Sequence, residues 1–204
     1  ASADAATWRF KIRSGVEFHN GKTLTPQDVV DSFNHHRGED STSAAKGLLT
    51  AVNEISIDGD TVVFALADGN ADFPFIVSDY HFSIRPSNGD GTMDWGSGIG
   101  TGAFVIDSFE PGVAAKFTKF PNYWKEGAGH ADSIEILSLN DVTARQNAAM
   151  NGDVDIIDRV DPKTVNLMER VPNLNVQENT GTLHYTFPMR LDVAPFDNYD
   201  LRMA

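Results

Sequence analysis

Two runs rich in β-forming residues, Ala103–Phe109 and Val113–Phe120, flank Glu110-Pro111-Gly112, and no other stretch limits the fold so tightly. A Pro-Gly turn signal between two strand-like runs predicts a hairpin. Gly100 and Gly102 stand at the entry to the first run, where a backbone can bend sharply or approach another surface closely. Pro121-Asn122 closes the second run, and Tyr123-Trp124 supplies a large aromatic anchor. The run G-S-G-I-G-T-G at Gly96–Gly102 lacks the Lys-Ser/Thr ending of a phosphate loop and leads into a strand, so it is not one.

Upstream, Trp8, Phe10 and Ile12 alternate with Arg9, Lys11 and Arg13, which predicts a strand with one buried and one basic face. Ser14-Gly15 breaks it, Val16-Glu17-Phe18 resumes it, and His19-Asn20-Gly21 is a tight turn. His19 there reads as a polar surface group. Thr25-Pro26-Gln27-Asp28 predicts a helix start, with Thr25 as N-cap, Pro26 at N1 and Asp28 near the positive end of the dipole. Val29, Val30 and Phe33 mark its buried face, His36 its end and Gly38 its stop. His35 and His36 are adjacent and point in different directions, which suits surface or capping roles better than a shared metal. Ile55 and Ile57 lead into Asp58-Gly59-Asp60, and Val62, Phe64 and Leu66 lead out, a second hairpin. The D-x-D spacing is not a calcium loop, because position twelve would be Gly69 where a glutamate is needed. Phe73-Pro74-Phe75 predicts a short apolar helix or turn, and turn-rich Ser83–Gly98 a domain crossing near Ile84.

Downstream, Ile134, Ile136 and Leu137 predict a strand, and Asp141 caps a helix over Val142–Met150 that Gly152 stops. Val154, Ile156 and Ile157 predict a further strand. Asp161-Pro162 predicts a helix containing Val165, Met168 and Val171, and Leu183–Phe187 a last strand. Strands and helices mixed in this way imply α/β or α+β layers rather than an all-β sandwich.

Composition removes several function classes. A net charge of −13 repels nucleic acid and anionic membrane. With no cysteine there are no disulfides, thiolate metal sites or cysteine nucleophiles. No apolar run approaches the ~20 residues that span a bilayer, and the opening A-S-A-D-A-A-T is small and polar rather than a signal peptide. Trp8 enters a strand with little chain before it to pair with, and Asn198–Ala204 reads as a helix start of one turn, too short to be stable alone. The expectation is a fragment of a longer protein.

Taken together, W-R-F-K-I-R-S-G-V-E-F-H-N-G, T-P-Q-D-V-V-D-S-F, the G-T-G-A-F hairpin with N-Y-W, N-G-D-V-D-I-I-D and A-P-F-D-N-Y-D-L-R-M-A stand in an order that resembles family 5 of the solute-binding proteins of bacterial ABC importers. The resemblance runs from about Trp8 to Ala204. It implies an incomplete periplasmic-binding-protein fold of type II-like, mixed α/β kind. Residues 1–84 would be most of an accessory α+β domain, 85–181 part of the first ligand-binding lobe, and 182–204 the hinge strand and start of the second lobe.

The implied function is capture of an oligopeptide, opine, metal complex or sugar outside the cytoplasmic membrane, in the periplasm or on a lipid anchor, and delivery to an ABC permease. The implied receptor is no enzyme, uses no cofactor or metal, binds no nucleic acid and is a monomer at full length. Its ligand contacts would include Asp158 and Arg159 after the D-I-I strand, and His184, Tyr185, Thr186 and Phe187 on the hinge strand. Arginine can hold a carboxylate bidentately and an aromatic ring can stack on a ligand. The run H-Y-T-F-P-M-R departs from the asparagine-bearing version usual in peptide binders. Two other classes compete: a hydrolase with paired carboxylates among Asp153, Asp155 and Asp158, and an interaction module using its sheet edges.

Overall fold

The computed structural model describes residues 1–181 and 186–203. Packing divides the chain into two compact units, Ala1–Ser138 and Leu139–Ala204.

The first unit holds two three-stranded antiparallel sheets. In one, β1 (Thr7–Lys11), β3 (Thr61–Leu66) and β2 (Val52–Asp58) lie in the order β1-β3-β2, with Phe10 opposite Val62 and Val62 opposite Ile57. Alternation along β3 sends Val62, Phe64 and Leu66 inward. Helix α1 (Pro26–His35) packs Val29, Val30 and Phe33 onto them, with Leu49, Phe73 and Phe82 completing the core. Phe64 is the centre of an aromatic cluster, with ring centroids 5.2 Å from Phe33, 5.3 Å from Phe73 and 5.7 Å from Phe10. Trp8 covers one side and donates its indole N–H to the Ala5 and Asn70 carbonyls at 3.0 and 3.1 Å. On the opposite face Arg9 pairs with Asp58, and Lys11 with Asp60 at 3.1 Å. Those two aspartates are thus the acidic complement of the basic strand face. Such exposed pairs contribute about 0–1 kcal/mol each.

The other sheet runs β4-β5-β6, formed by Phe104–Glu110, Ala114–Lys119 and Ser133–Leu137. A bulge near Asp107 keeps Ile106 opposite Phe117 and Phe109 opposite Ala115, and β6 places Ile134 and Ile136 in the same two rows. One sheet face is therefore apolar, and its members Ile106, Phe109 and Ile136 are exposed. Short helix α2 (Phe73–Ile76) matches the Phe-Pro-Phe signal.

In the second unit α3 (Val142–Asn151) begins as its cap dictates, Asp141 Oδ1 accepting from the Ala144 N–H at 2.7 Å. It ends at Gly152, whose φ of +78° is the left-handed conformation glycine adopts most cheaply. Buried Gln146 donates to Thr164 Oγ1 at 2.5 Å and ties α3 to the single helical turn α4 (Val165–Met168). The remaining element is α5 (Tyr199–Met203).

Two expected elements differ. The strand over Val154–Ile157 does not form, and Ile156 is 87% exposed. A strand needs a neighbour for its N–H and C=O groups, and none of the described residues supplies one. The helix from Asp161 shrinks to α4 because Asp161 takes the Lys163 N–H on its side chain and the Thr164 N–H on its carbonyl, which makes residues 161–164 a turn.

Candidate ligand-binding residues and polar seams

Asp158 and Arg159 follow the unformed strand on an open loop. Their side chains are 78% and 87% exposed and meet at 3.5 Å, Arg159 Nε to Asp158 Oδ2. Arg159 holds φ = +54°, a left-handed conformation uncommon outside glycine and costing about 1 kcal/mol or more. Thr186 and Phe187 are exposed, Phe187 at 95%, and belong to no regular element. His184 and Tyr185 lie outside the described residues. Asp158 and Arg159 are thus brought together, while no hydrogen bond or ion pair among the described residues joins them to Thr186 or Phe187. Asp153 and Asp155 are also exposed. A recess of about 310 Å³ in the first unit is walled by Phe10, Ile12, Leu24, Phe33 and Val77, and it contains none of the expected ligand contacts.

Three polar features escaped the sequence reading. The first is Asp28, fully buried at the start of α1. It accepts from Lys22 Nζ at 2.5 Å, the Thr25 N–H at 2.8 Å, Thr25 Oγ1 at 2.7 Å and the Ser87 N–H at 2.7 Å. Thr25 is the N-cap as expected, and both its N–H and its hydroxyl donate to the Asp28 carboxylate, which closes a capping box at the start of α1. Lys22 also donates to the Ser87 carbonyl at 2.7 Å, and Asp31 takes the Ser87 hydroxyl. The acids of T-P-Q-D-V-V-D thus fasten the turn-rich segment to α1. Burial opposes the Asp28 charge, but Lys22, Thr25 and Ser87 outweigh it and hold the carboxyl below its usual range.

The second is His36, expected in a surface or capping role; it is the C-cap of α1 but only 5% exposed. Its Nδ1 lies 2.6 Å from Ser43 Oγ, its ring 5.1 Å from Phe82, and its Nε2 is buried without a partner. Helical geometry explains the split between neighbours: His35 faces out and meets Trp95 with ring centroids 4.3 Å apart and planes tilted by 32°, with the Arg85 guanidinium 5.6 Å from the same indole. Burial first, then the neighbouring His35 and His81, pushes His36 below the ordinary histidine value.

The third is His19, also expected to be a plain surface group. It is half-buried, with Gly100 and Gly102 against its ring and Phe120 edge-on at 5.0 Å. Asn122 donates to Glu17 at 2.9 Å and Arg13 lies 4.8 Å over Trp124, so the N-Y-W motif meets the first strand region directly. The signal for this seam was the pair of glycines before β4, which a sequence can mark as an approach but not assign a partner.

The profile described as bacterial extracellular solute-binding proteins, family 5 Middle, matches residues 1–204. Heme-binding protein A of Haemophilus influenzae is 28% identical over 234 residues, covering 100% of this chain and 42% of its own length. The dipeptide-binding protein of Escherichia coli is 23% identical over 236 residues, covering 100% and 43%. This chain therefore spans less than half the length of these relatives. Among solved structures, the PBP AgaA from A. tumefaciens R10 in complex with agropinic acid aligns with a TM-score of 0.76 at 26% identity, over 84% of this chain and 35% of that one.

Proposed function

Because the chain belongs to family 5 of the bacterial extracellular solute-binding proteins, we propose that it is part of a receptor that captures a small solute outside the cytoplasmic membrane and passes it to an ABC importer. Its mixed α/β fold is that of type II-like periplasmic binding proteins. The observation that carries the functional reading is the family match over every residue of the chain. The relatives named above are called binding proteins, not enzymes, and the exposure of Asp153, Asp155 and Asp158 gives a paired-carboxylate hydrolase no support. No helix among the described residues is long and apolar enough to cross a membrane.

In this reading residues 1–84 are the accessory domain, 85–181 part of the first lobe, and 182–204 the hinge strand and opening of the second. Asp158, Arg159 and the hinge residues His184, Tyr185, Thr186 and Phe187 contact the solute once the second lobe closes over them. Closure would desolvate Arg159, and a desolvated guanidinium holds a carboxylate far more strongly than an exposed one. The solute class is therefore a carboxylate-bearing molecule, an opine or short peptide, and the partner is a membrane permease. The receptor works as a monomer, in the periplasm or on a lipid anchor.

Native and denaturing mass spectrometry of the full-length protein tests this. The expected result is a small mass that survives gentle ionisation, vanishes on denaturation and is lost in Arg159→Ala. Absence of any such mass, together with no thermal shift across peptides, opines, metal complexes and sugars, would overturn the receptor reading.

A further inference from the structure

His19 belongs to a tight turn, yet both nitrogens of its ring are engaged by one stretch of backbone. The Gly100 N–H donates to Nδ1 at 3.3 Å, and Nε2 lies 3.0 Å from the Gly102 carbonyl oxygen. A carbonyl only accepts and a backbone N–H only donates, so this pairing requires the neutral ring with its proton on Nε2. A third bond, from the His19 N–H to the Gly100 carbonyl at 3.0 Å, holds the two backbones together.

We propose that His19 is a proton-sensitive clasp that fastens the Gly100–Gly102 entry of strand β4 to the Val16–Gly21 turn region, and that it half-opens when the imidazole takes up a second proton. The chemistry is an either-or. In the imidazolium both nitrogens carry hydrogen, so Nδ1 presents a donor to the donating Gly100 N–H, while the Nε2 bond to Gly102 survives. Histidine is the side chain whose charge ordinarily changes between about pH 5 and 8.

The charged groups on the elements that meet here leave His19 as the responsive member. Glu17 is engaged by Asn122, Lys22 by Asp28 and the Ser87 carbonyl, and Arg85 by the Ile99 carbonyl at 2.8 Å. Lys119 precedes Phe120, and Gly96–Gly102 contributes no charge. The Glu17–Asn122 and Arg13–Trp124 contacts do not pass through the ring, so release loosens the strand entry without parting the two sheets.

This inference is independent of the solute reading, and its test needs no ligand. In the 204-residue chain, ring nitrogen shifts and Gly100 amide exchange are measured by NMR near neutral and mildly acidic pH. Near about pH 7.5 the ring should show the Nε2–H tautomer and the Gly100 amide should be protected. Near about pH 5, after correction for intrinsic exchange, that protection should fall about tenfold, the scale of one lost hydrogen bond. His19→Gln, whose amide offers one acceptor and one donor but does not titrate, should keep its protection at both pH values, and His19→Phe should lack it at both. A ring carrying its proton on Nδ1, a parent amide indifferent to pH, or an equal loss in His19→Gln would each overturn the clasp.

Discussion

The two packing units differ in how far each closes on itself. Residues 1–138 bury Val30, Phe33, Leu49, Val62, Phe64 and Phe73 in one continuous core fed by three strands and a helix. Residues 139–204 bury Ala149 and Met168 but leave Ile156, Leu167, Phe187, Tyr199 and Met203 exposed among the described residues. Apolar surface lowers free energy only where it is removed from water. The first unit therefore has a closed core of its own beside the open face of β4-β5-β6, whereas the second carries apolar side chains whose contribution awaits a cover. In the proposed receptor that cover is solute and second lobe.

The largest test of this difference is a pair of phenylalanines. Phe64→Ala, at 2% exposure in the middle of the aromatic cluster, should cost about 3–5 kcal/mol in urea unfolding. Phe187→Ala, at 95% exposure, should stay within about 0.5 kcal/mol of the parent. Equal costs would erase the contrast.

Next comes the polar fastening of the first unit. Asp28→Ala strips an acceptor from Lys22, Thr25 and Ser87 and should cost about 3 kcal/mol. Acid should reveal the same group. Since folding depresses its pKa below the ordinary 3.8, the unfolded chain takes up the proton first as pH falls. The stabilisation is complete above that ordinary value and disappears as pH drops through the lower folded one. Asp28→Asn should be less stable at neutral pH and flatter across that acid window, a slope readable from urea midpoints.

The smallest effect belongs to the second unit. Gly152→Ala forces a Cβ into φ = +78° and should cost about 1 kcal/mol. It should appear as faster amide exchange in α3 with little change in the unfolding of the first unit. A loss of protection along β3 as well would mean the units are not energetically separate.

Sequence legibility follows a different divide, between local and distant partners. Thr25-Pro26 before α1, Asp58-Gly59-Asp60, Glu110-Pro111-Gly112, and Asp141 with Gly152 around α3 were all readable, because turns and caps are decided by residues a few positions apart. The strand over Val154–Ile157 was misread because apolar residues with a turn signal specify a strand only when another strand lies alongside. Asp28 looked like an acid placed for a helix dipole, and nothing local said that Lys22 and Ser87 would close around it. His19 meets residues more than 80 positions away, at |i−j| = 81 and 83, a pairing that local spacing cannot specify. Of the expected ligand contacts, adjacency alone delivered the Asp158–Arg159 pair.

The tilted contact of His35 with Trp95 gives the molecule an optical readout of its own. An imidazolium in contact with an excited indole draws an electron from it and darkens its emission, whereas the neutral ring does so weakly. Trp95 emission should therefore differ from that of an indole with no histidine ring against it. Trp8, with its N–H bonded to two carbonyls, and Trp124, beneath Arg13, have no histidine ring against them among the described residues. Colour and brightness thus separate the Trp95 corner of the first unit from the rest without any attached dye.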